Sequence, residues 1–269
     1  MCVLVDFTKM NGAGNDFVLI DNREIGLQLT PEQIQRICHR QRGVGADGVL
    51  LLRLAKGDAD LGWDFFNSDG SEAEMCGNGA RCFARFAQRH LDGQEEVSFE
   101  TLAGVIKARL DGESVTVSLT PPEDFRIGDR ISTSAGELEI HSVNTGVPHA
   151  VLFVDDADQA MVSQLGKEIR YHERYAPDGT NVNFVQLTGQ DSIRVRTYER
   201  GVGETLACGT GVTAAGLITA KLHDCGSPIR VRVLGGDDLS VAFEPAGDSL
   251  TNVRLTGPAE FVFSGQIEI

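Results

Sequence analysis

The sequence predicts an α/β (α+β) fold of two pseudo-symmetric domains, each a highly curved, mostly antiparallel sheet wrapped around a central helix. Three observations carry this prediction. The chain repeats itself at a nearly constant offset, each repeat places a helical run after a Cys-Gly-x-Gly corner, and each then alternates apolar and polar residues through a hairpin. In the first repeat "NGAGNDFVLID" (11–21) corresponds to "NTGVPHAVLFVD" (144–155), so that Gly12 matches Gly146, Asn15 matches His149 and Asp21 matches Asp155. Likewise "ADGVLLL" (46–52) parallels "TNVNFVQL" (180–187), and "LGWDFFNSDGSEAEMCGNG" (61–79) parallels "IRVRTYERGVGETLACGTG" (193–211).

Taken in order, the apolar runs around 17–20 and 49–52 read as buried strands. "TPEQIQRICHRQ" reads as a helix with Thr30 as N-cap, Pro31 at its first position and Gln33 completing a capping box. The strand "LGWDFF" leads to Cys76, after which "ARCFARFAQRHL" has helical three-and-four spacing. "VIKARLDGESVTVSLT" reads as a hairpin turning at Asp111-Gly112. "LTPPEDF" breaks the strand pattern at Pro121 and Pro122 and ends the first half. The second half repeats the order, with "DQAMVSQLGKEI" as the small helix, "VTAAGLITAKLH" as the central one and "IRVRVLGGDDLSVAF" as a hairpin turning at Gly235-Gly236. The C-terminal "AEFVFSGQIEI" is strand-like and surplus to the second repeat. The domains are therefore expected at 1–121, with 259–269 returning to it, and at 122–258.

With 269 residues, 41% hydrophobic and 23% charged, the chain can bury a substantial core. A net charge of −15 argues against a polyanionic partner, so no nucleic acid is expected. No leader of basic and apolar residues opens the chain and no run approaches the length of a membrane span, so the expectation is a cytoplasmic protein with no membrane partner. "GVGADG" (43–48) fits G-x-G-x-x-G but follows a helix pattern and precedes a strand, the reverse of the dinucleotide context. Six histidines without HExxH spacing, and acidic residues without a calcium-loop pattern, give no reason to expect a metal.

The six cysteines show no CxxC pair. Cys82 and Cys38 fall on apolar helix stretches and read as packing residues, and Cys2 and Cys225 lie at a terminus and in a loop. Cys76 and Cys208 differ. A thiol in the first turn of a helix feels the positive end of the helix dipole, which favours thiolate. The glycines after each, Gly77 with Gly79 and Gly209 with Gly211, leave backbone amides open to a carboxylate. Two such thiols on opposite faces of one carbon are what stereoinversion needs, one removing a proton while the other delivers one. The carbon must neighbour a carboxylate, whose developing charge the helix ends stabilise.

"FTKMNGAGNDFVLID", "NSDGSEAEMCGNGARCFARF", "PDGTNVNFVQL" and "YERGVGETLACGTG" together resemble the diaminopimelate epimerase family, in order and over nearly the whole chain. The resemblance implies interconversion of LL- and meso-2,6-diaminopimelate on the route to lysine and peptidoglycan, without a cofactor, in a homodimer, with the active site in the cleft between the domains. It implies Cys76 and Cys208 as the catalytic pair, with His149 and Glu199 helping a neighbouring thiol to lose its proton. It further implies substrate binding by Asn15, Asn67, Gly77, Asn78, Asn181, Glu199, Arg200, Gly209 and Thr210. Val147 stands where many members carry asparagine, and Gly48 where some carry glutamine. Proline racemases and hydroxyproline epimerases also use two cysteines, but their cyclic substrate has no second polar end for Asn67, Asn181 and Arg200 to hold. A non-catalytic amino-acid-binding protein would not need two opposed thiols.

Overall fold

The computed structural model describes residues 3–223 and 225–269, so that Cys2 lies outside the described residues. The chain divides into two compact units, one running to Val117 and resuming at Gly257–Ile269, the other Ser118–Thr256.

The first unit runs β1 (Leu4–Asn11), β2 (Asp16–Asp21), α1 (Pro31–Cys38), β3 (Gly48–Arg53), β4 (Leu61–Asn67), α2 (Gly77–Gln88), β5 (Glu96–Thr101), β6 (Gly104–Asp111) and β7 (Ser114–Ser118). The capping box of α1 is present: Gln33 N donates to Thr30 Oγ1 at 3.3 Å and Thr30 N to Gln33 Oε1 at 2.8 Å. β2 and β3 pair in parallel and are apolar and buried along nearly their whole length. That is what covering both faces demands: α2 packs on them, and α1 packs on β3 as well. Between α1 and these strands lies a core that includes Val18, Ile20, Ile34, Ile37, Val49 and Leu51. β6, by contrast, alternates buried and exposed residues from Ile106 on, as a sheet with one wet face does. Its hairpin to β7 turns on Gly112 and Glu113, one residue beyond the expected corner, because Asp111 still pairs with Ser114 while Gly112 takes the positive φ of 59° that the turn requires.

The second unit runs β8 (Glu123–Thr133), β9 (Gly136–Asn144), β10 (Pro148–Phe153), α3 (Val162–Arg170), β11 (Asn181–Gly189), β12 (Ser192–Glu199), β13 (Gly203–Thr205), α4 (Gly209–His223), β14 (Ile229–Val233), β15 (Asp238–Ala246) and β16 (Ser249–Pro258). Its parallel pair β10–β11 packs against α3 through a core that includes Ala150, Leu152, Leu165, Ile169, Val182 and Phe184, and α4 packs on the same two strands. α4 is buried from Gly209 through Thr219 apart from half-exposed Thr210, and its small residues let strands approach: a Cβ on Gly216 would lie 3.1 Å from the side chain of Val241. The last strand, β17 (Glu260–Glu268), pairs antiparallel with β1 from Leu4↔Glu268 to Asn11↔Glu260.

The pairings of the two units correspond one to one. β17–β1–β2–β3–β4–β5–β6–β7 has the same sequence of antiparallel and parallel contacts as β8–β9–β10–β11–β12–β14–β15–β16. The strand that seemed surplus to the second repeat is thus the counterpart of β8. Even β13, which pairs Tyr198 with Glu204, has an echo in the single bridge between Phe66 and Glu72. The chain has the mixed α+β class expected of it, and among the described residues no helix is long and apolar enough to cross a membrane.

Candidate active site

Each unit carries a cysteine at the start of its central helix. Cys76 is the N-cap of α2: its φ of −145° is extended, its carbonyl accepts from Ala80 N at 2.8 Å and its Sγ accepts from Gly79 N at 3.4 Å. Cys208 stands likewise before α4, its carbonyl accepting from Val212 N at 2.8 Å, with Sγ 3.5 Å from Thr210 Oγ1. The backbone amides of a helix's first turn lack intrahelical acceptors and point outward, so each sulfur sits beside a cluster of donors suited to an anion. The other described cysteines are differently placed. Burial pushes the thiols of Cys82 and Cys38 up to about 12, which leaves them inert at neutral pH, and Cys225 donates to Gln190 O at 2.9 Å in a loop.

In the first unit Asn15, Cys76 and Asn78 meet. The Cys76 thiol donates to Asn15 Oδ1 at 3.7 Å, and Asn78 Nδ2 lies 3.4 Å from the same oxygen. Asn78 is buried and its Oδ1 accepts from Arg81 Nη2 at 3.0 Å, so its side chain serves the interior of the protein. Arg81 has no exposed surface. It also donates to Gly77 O (3.2 Å), Gly12 O (3.3 Å) and Pro258 O (3.2 Å), tying the 11–15 loop and Pro258, both within the first unit, to the first turn of α2. Behind Asn15 lies a charged quartet of Lys9, Asp16, Arg40 and Asp47. Burial works to raise Asp16, but Arg40 and Lys9 outweigh it and hold that carboxyl below the usual range. Asp47 is raised, by burial first and by the adjacent Asp16 charge. Asn67 ends β4 half-buried, its Nδ2 donating to Ser71 Oγ at 3.1 Å. Gly48 leaves no room for a side chain, since a Cβ would lie 2.7 Å from Phe66 O and 2.8 Å from Phe65 Cε2.

In the second unit His149 and Asn181 are register partners on β10 and β11. Asn183, which the sequence reading did not single out, is buried beside them. Its Oδ1 accepts from Thr197 Oγ1 at 2.9 Å, and its Nδ2 donates to Ala150 O at 3.0 Å and faces His149 Nδ1 at 3.2 Å. With the asparagine as donor, His149 Nδ1 accepts and its ring proton is on Nε2. Among the described residues Nε2 has no hydrogen-bond partner. Gly211 is required by this arrangement: a Cβ there would lie 2.4 Å from Asn183 Oδ1 and 3.3 Å from Cys208 Cβ. Glu199 Oε1 accepts from Thr205 Oγ1 at 2.6 Å, Arg200 N donates to Asn181 Oδ1 at 2.9 Å, and the Thr210 carbonyl accepts from Thr145 Oγ1 at 3.0 Å. Val147 lies half-buried in the turn before β10, its carbonyl accepting from Thr145 N at 3.2 Å.

His149 is 1% exposed, and burial first, then the Arg200 charge, lower its pKa to about 3. It is therefore neutral in the fold and offers a donor at Nε2. The unfolded chain protonates this histidine near pH 6.5 and the folded chain does not, so the unfolded state binds more protons below that pH and stability falls as pH drops from 6.5 towards 3. Urea denaturation is expected to show a loss of about 2 kcal/mol from this group by pH 5. A His149→Gln variant is expected to have a correspondingly flatter pH dependence; equal slopes would contradict a buried neutral imidazole.

The profile of the diaminopimelate epimerase family matches residues 7–123 and 141–262. Diaminopimelate epimerases of Hydrogenobaculum sp. (strain Y04AAS1) and Aquifex aeolicus (strain VF5) are each 44% identical to the chain, over 275 and 277 residues; the matches cover 97% and 98% of this chain and the same shares of theirs. Among solved structures, a hydroxyproline epimerase from Agrobacterium vitis is similar with a TM-score of 0.76 at 19% identity, covering 99% of this chain and 93% of that one. A PhzF-family phenazine biosynthesis protein from Bacillus anthracis is similar with a TM-score of 0.77 at 17% identity, covering 99% and 100%. At those identities the likeness is one of fold.

Proposed function

The chain belongs to the diaminopimelate epimerase family, and from that premise we propose that it interconverts LL- and meso-2,6-diaminopimelate by passing the α-proton between two thiols, Cys76 and Cys208. The single observation that supports this most is the duplication itself: equivalent helices in two equivalent units each begin at a cysteine whose carbonyl accepts the first helical hydrogen bond. In the proposed reaction one sulfur, as thiolate, takes the α-hydrogen as a proton. The electron pair of the broken C–H bond spreads into the adjacent carboxylate, and the other thiol gives its proton to the opposite face of the carbon. The enzyme ends with its two protonation states exchanged, and the reverse reaction runs the same way.

The amides at Gly77, Asn78, Gly209 and Thr210 are proposed to stabilise the charge on that carboxylate. No lysine for a Schiff base and no metal enters this scheme. His149 assists by donating Nε2–H to a neighbouring thiolate, and Glu199 with Arg200, Asn15, Asn67 and Asn181 hold the polar groups of the substrate. The enzyme works in the cytoplasm as a homodimer, supplying lysine and peptidoglycan precursors. Incubated with LL-diaminopimelate in D2O and no added cofactor, the protein is expected to form the meso isomer with one deuterium at the inverted α-carbon. Turnover of proline or hydroxyproline, and none of diaminopimelate, would overturn the substrate assignment.

A further inference from the structure

Asn15 is one of the residues that touch the Cys76 sulfur in the first unit, and an asparagine amide has two chemically opposite ends. Which end faces the sulfur decides whether Asn15 offers it an acceptor or a donor. The carbonyl end does, with Oδ1 lying 3.7 Å from Cys76 Sγ and 3.4 Å from Asn78 Nδ2. At the other end Nδ2 donates to Asp47 Oδ2 at 2.5 Å. A carboxylate accepts only, so it fits the Nδ2 end of the amide and repels the other.

Asp47 is itself locked in place. Its Oδ2 also accepts from Asp16 N at 3.1 Å, while its own backbone N donates to Asp16 O at 2.9 Å and to Asp16 Oδ1 at 3.1 Å. Its Oδ1 accepts from Arg40 Nη2 at 2.7 Å, and the same nitrogen donates to Asp16 Oδ1 at 2.8 Å. Lys9, buried on β1, reaches Asp16 Oδ2 at 2.8 Å and the carbonyl of Gly45. Asp47 is the fifth residue of the "GVGADG" stretch, whose last glycine opens β3. This placement gives that stretch a task.

We propose that Asp47 is a positioning residue, whose carboxylate orients the Asn15 amide so that its carbonyl oxygen accepts from Cys76 and keeps that sulfur resting as the thiol. The inference rests on the reading of Cys76 as one of the two acid/base groups. It separates two roles Asp47 has on the page: acceptor for Asn15, and ion-pair partner of Arg40. Asp47→Asn keeps an oxygen facing Asn15 Nδ2 and Asp16 N but gives up the ion pair, whose side chains are 41% and 51% exposed and which is worth little for stability. Asp47→Ala gives up both.

The test compares the two variants with the wild type in the diaminopimelate assay, with folding checked by thermal melting. Asp47→Ala is expected to lower kcat by about tenfold or more, and Asp47→Asn to recover it to within about threefold of wild type. In protein carrying 15N-asparagine, the Asn15 side-chain amide protons are expected to exchange slowly in the wild type and in Asp47→Asn, and rapidly in Asp47→Ala. Full activity of Asp47→Ala would overturn the proposal. So would equal impairment of both variants, which would assign the effect to the Arg40 ion pair. If Asp47→Ala does not fold, Asp47→Asn decides alone, because its impairment is incompatible with the acceptor role. A wild type that inverts no diaminopimelate would sink the functional reading instead, while the exchange of the Asn15 amide would still report on its orientation.

Discussion

Cys76→Ser and Cys208→Ser are each expected to lower the rate of LL-to-meso conversion by a factor of about a hundred to ten thousand, the range that a positioned acid or base contributes. Serine preserves the shape of the N-cap and its hydrogen bond to the helix, so the loss reports on proton transfer and leaves folding aside. The comparison between the two variants is the informative part. If one sulfur handled both faces of the carbon, one variant would retain full inversion. With two bases, both lose it in both directions. Inversion at the wild-type rate in either variant would end the two-thiol mechanism. Cys82→Ser, in the helix that Cys76 caps but fully buried, serves as the control and is expected to change stability while leaving Cys76 and Cys208 in place.

Arg81→Ala is expected to destabilise the protein by about 3–5 kcal/mol, because it strips partners from Gly12 O, Gly77 O, Pro258 O and Asn78 Oδ1 and leaves a cavity where a long side chain was fully buried. A shift in the urea midpoint with an unchanged slope measures it, and a loss below about 1 kcal/mol would show that water satisfies those carbonyls. The second unit manages the same helix position with less. Thr213, which stands where Arg81 does in the repeat, donates to Gly209 O at 2.9 Å, as Arg81 donates to Gly77 O at 3.2 Å. Arg81→Lys places one donor group where Arg81 has several, and is expected to recover only part of the loss.

The fold was legible in the sequence wherever a local rule applied twice. Thr30, Pro31 and Gln33 announce α1 through capping chemistry, and the two CGxG corners announce α2 and α4. What the sequence hid were residues whose roles depend on distant partners. Arg81 sits in an apolar helical stripe and looks like a surface arginine until three separated carbonyls converge on it. Asn183 lies in a strand whose neighbours are apolar, and only the parallel pairing with β10 brings it to His149. Asp47 belonged to a glycine-rich stretch weighed as a nucleotide loop and set aside; its bond to Asn15 spans 32 residues and has no local signature. Asn78 is expected to serve the substrate through its backbone, and its side chain, bound to Arg81 and Asn15, has a separate structural role that the sequence does not signal.

The pairing of β17 with β1 sets the order in which the protein can be completed during synthesis. β8 is made immediately before β9, so the second unit has its outer strand at hand as it emerges. The first unit's counterpart to that strand is made only after every strand of the second unit, 249 residues separating Asn11 from its partner Glu260. Until then Phe7 and the rest of β1 lack their covering partner, and the first-made half of the chain is the last to close. A released chain truncated before Glu260 is therefore expected to hold a protease-resistant second unit and a protease-sensitive first one.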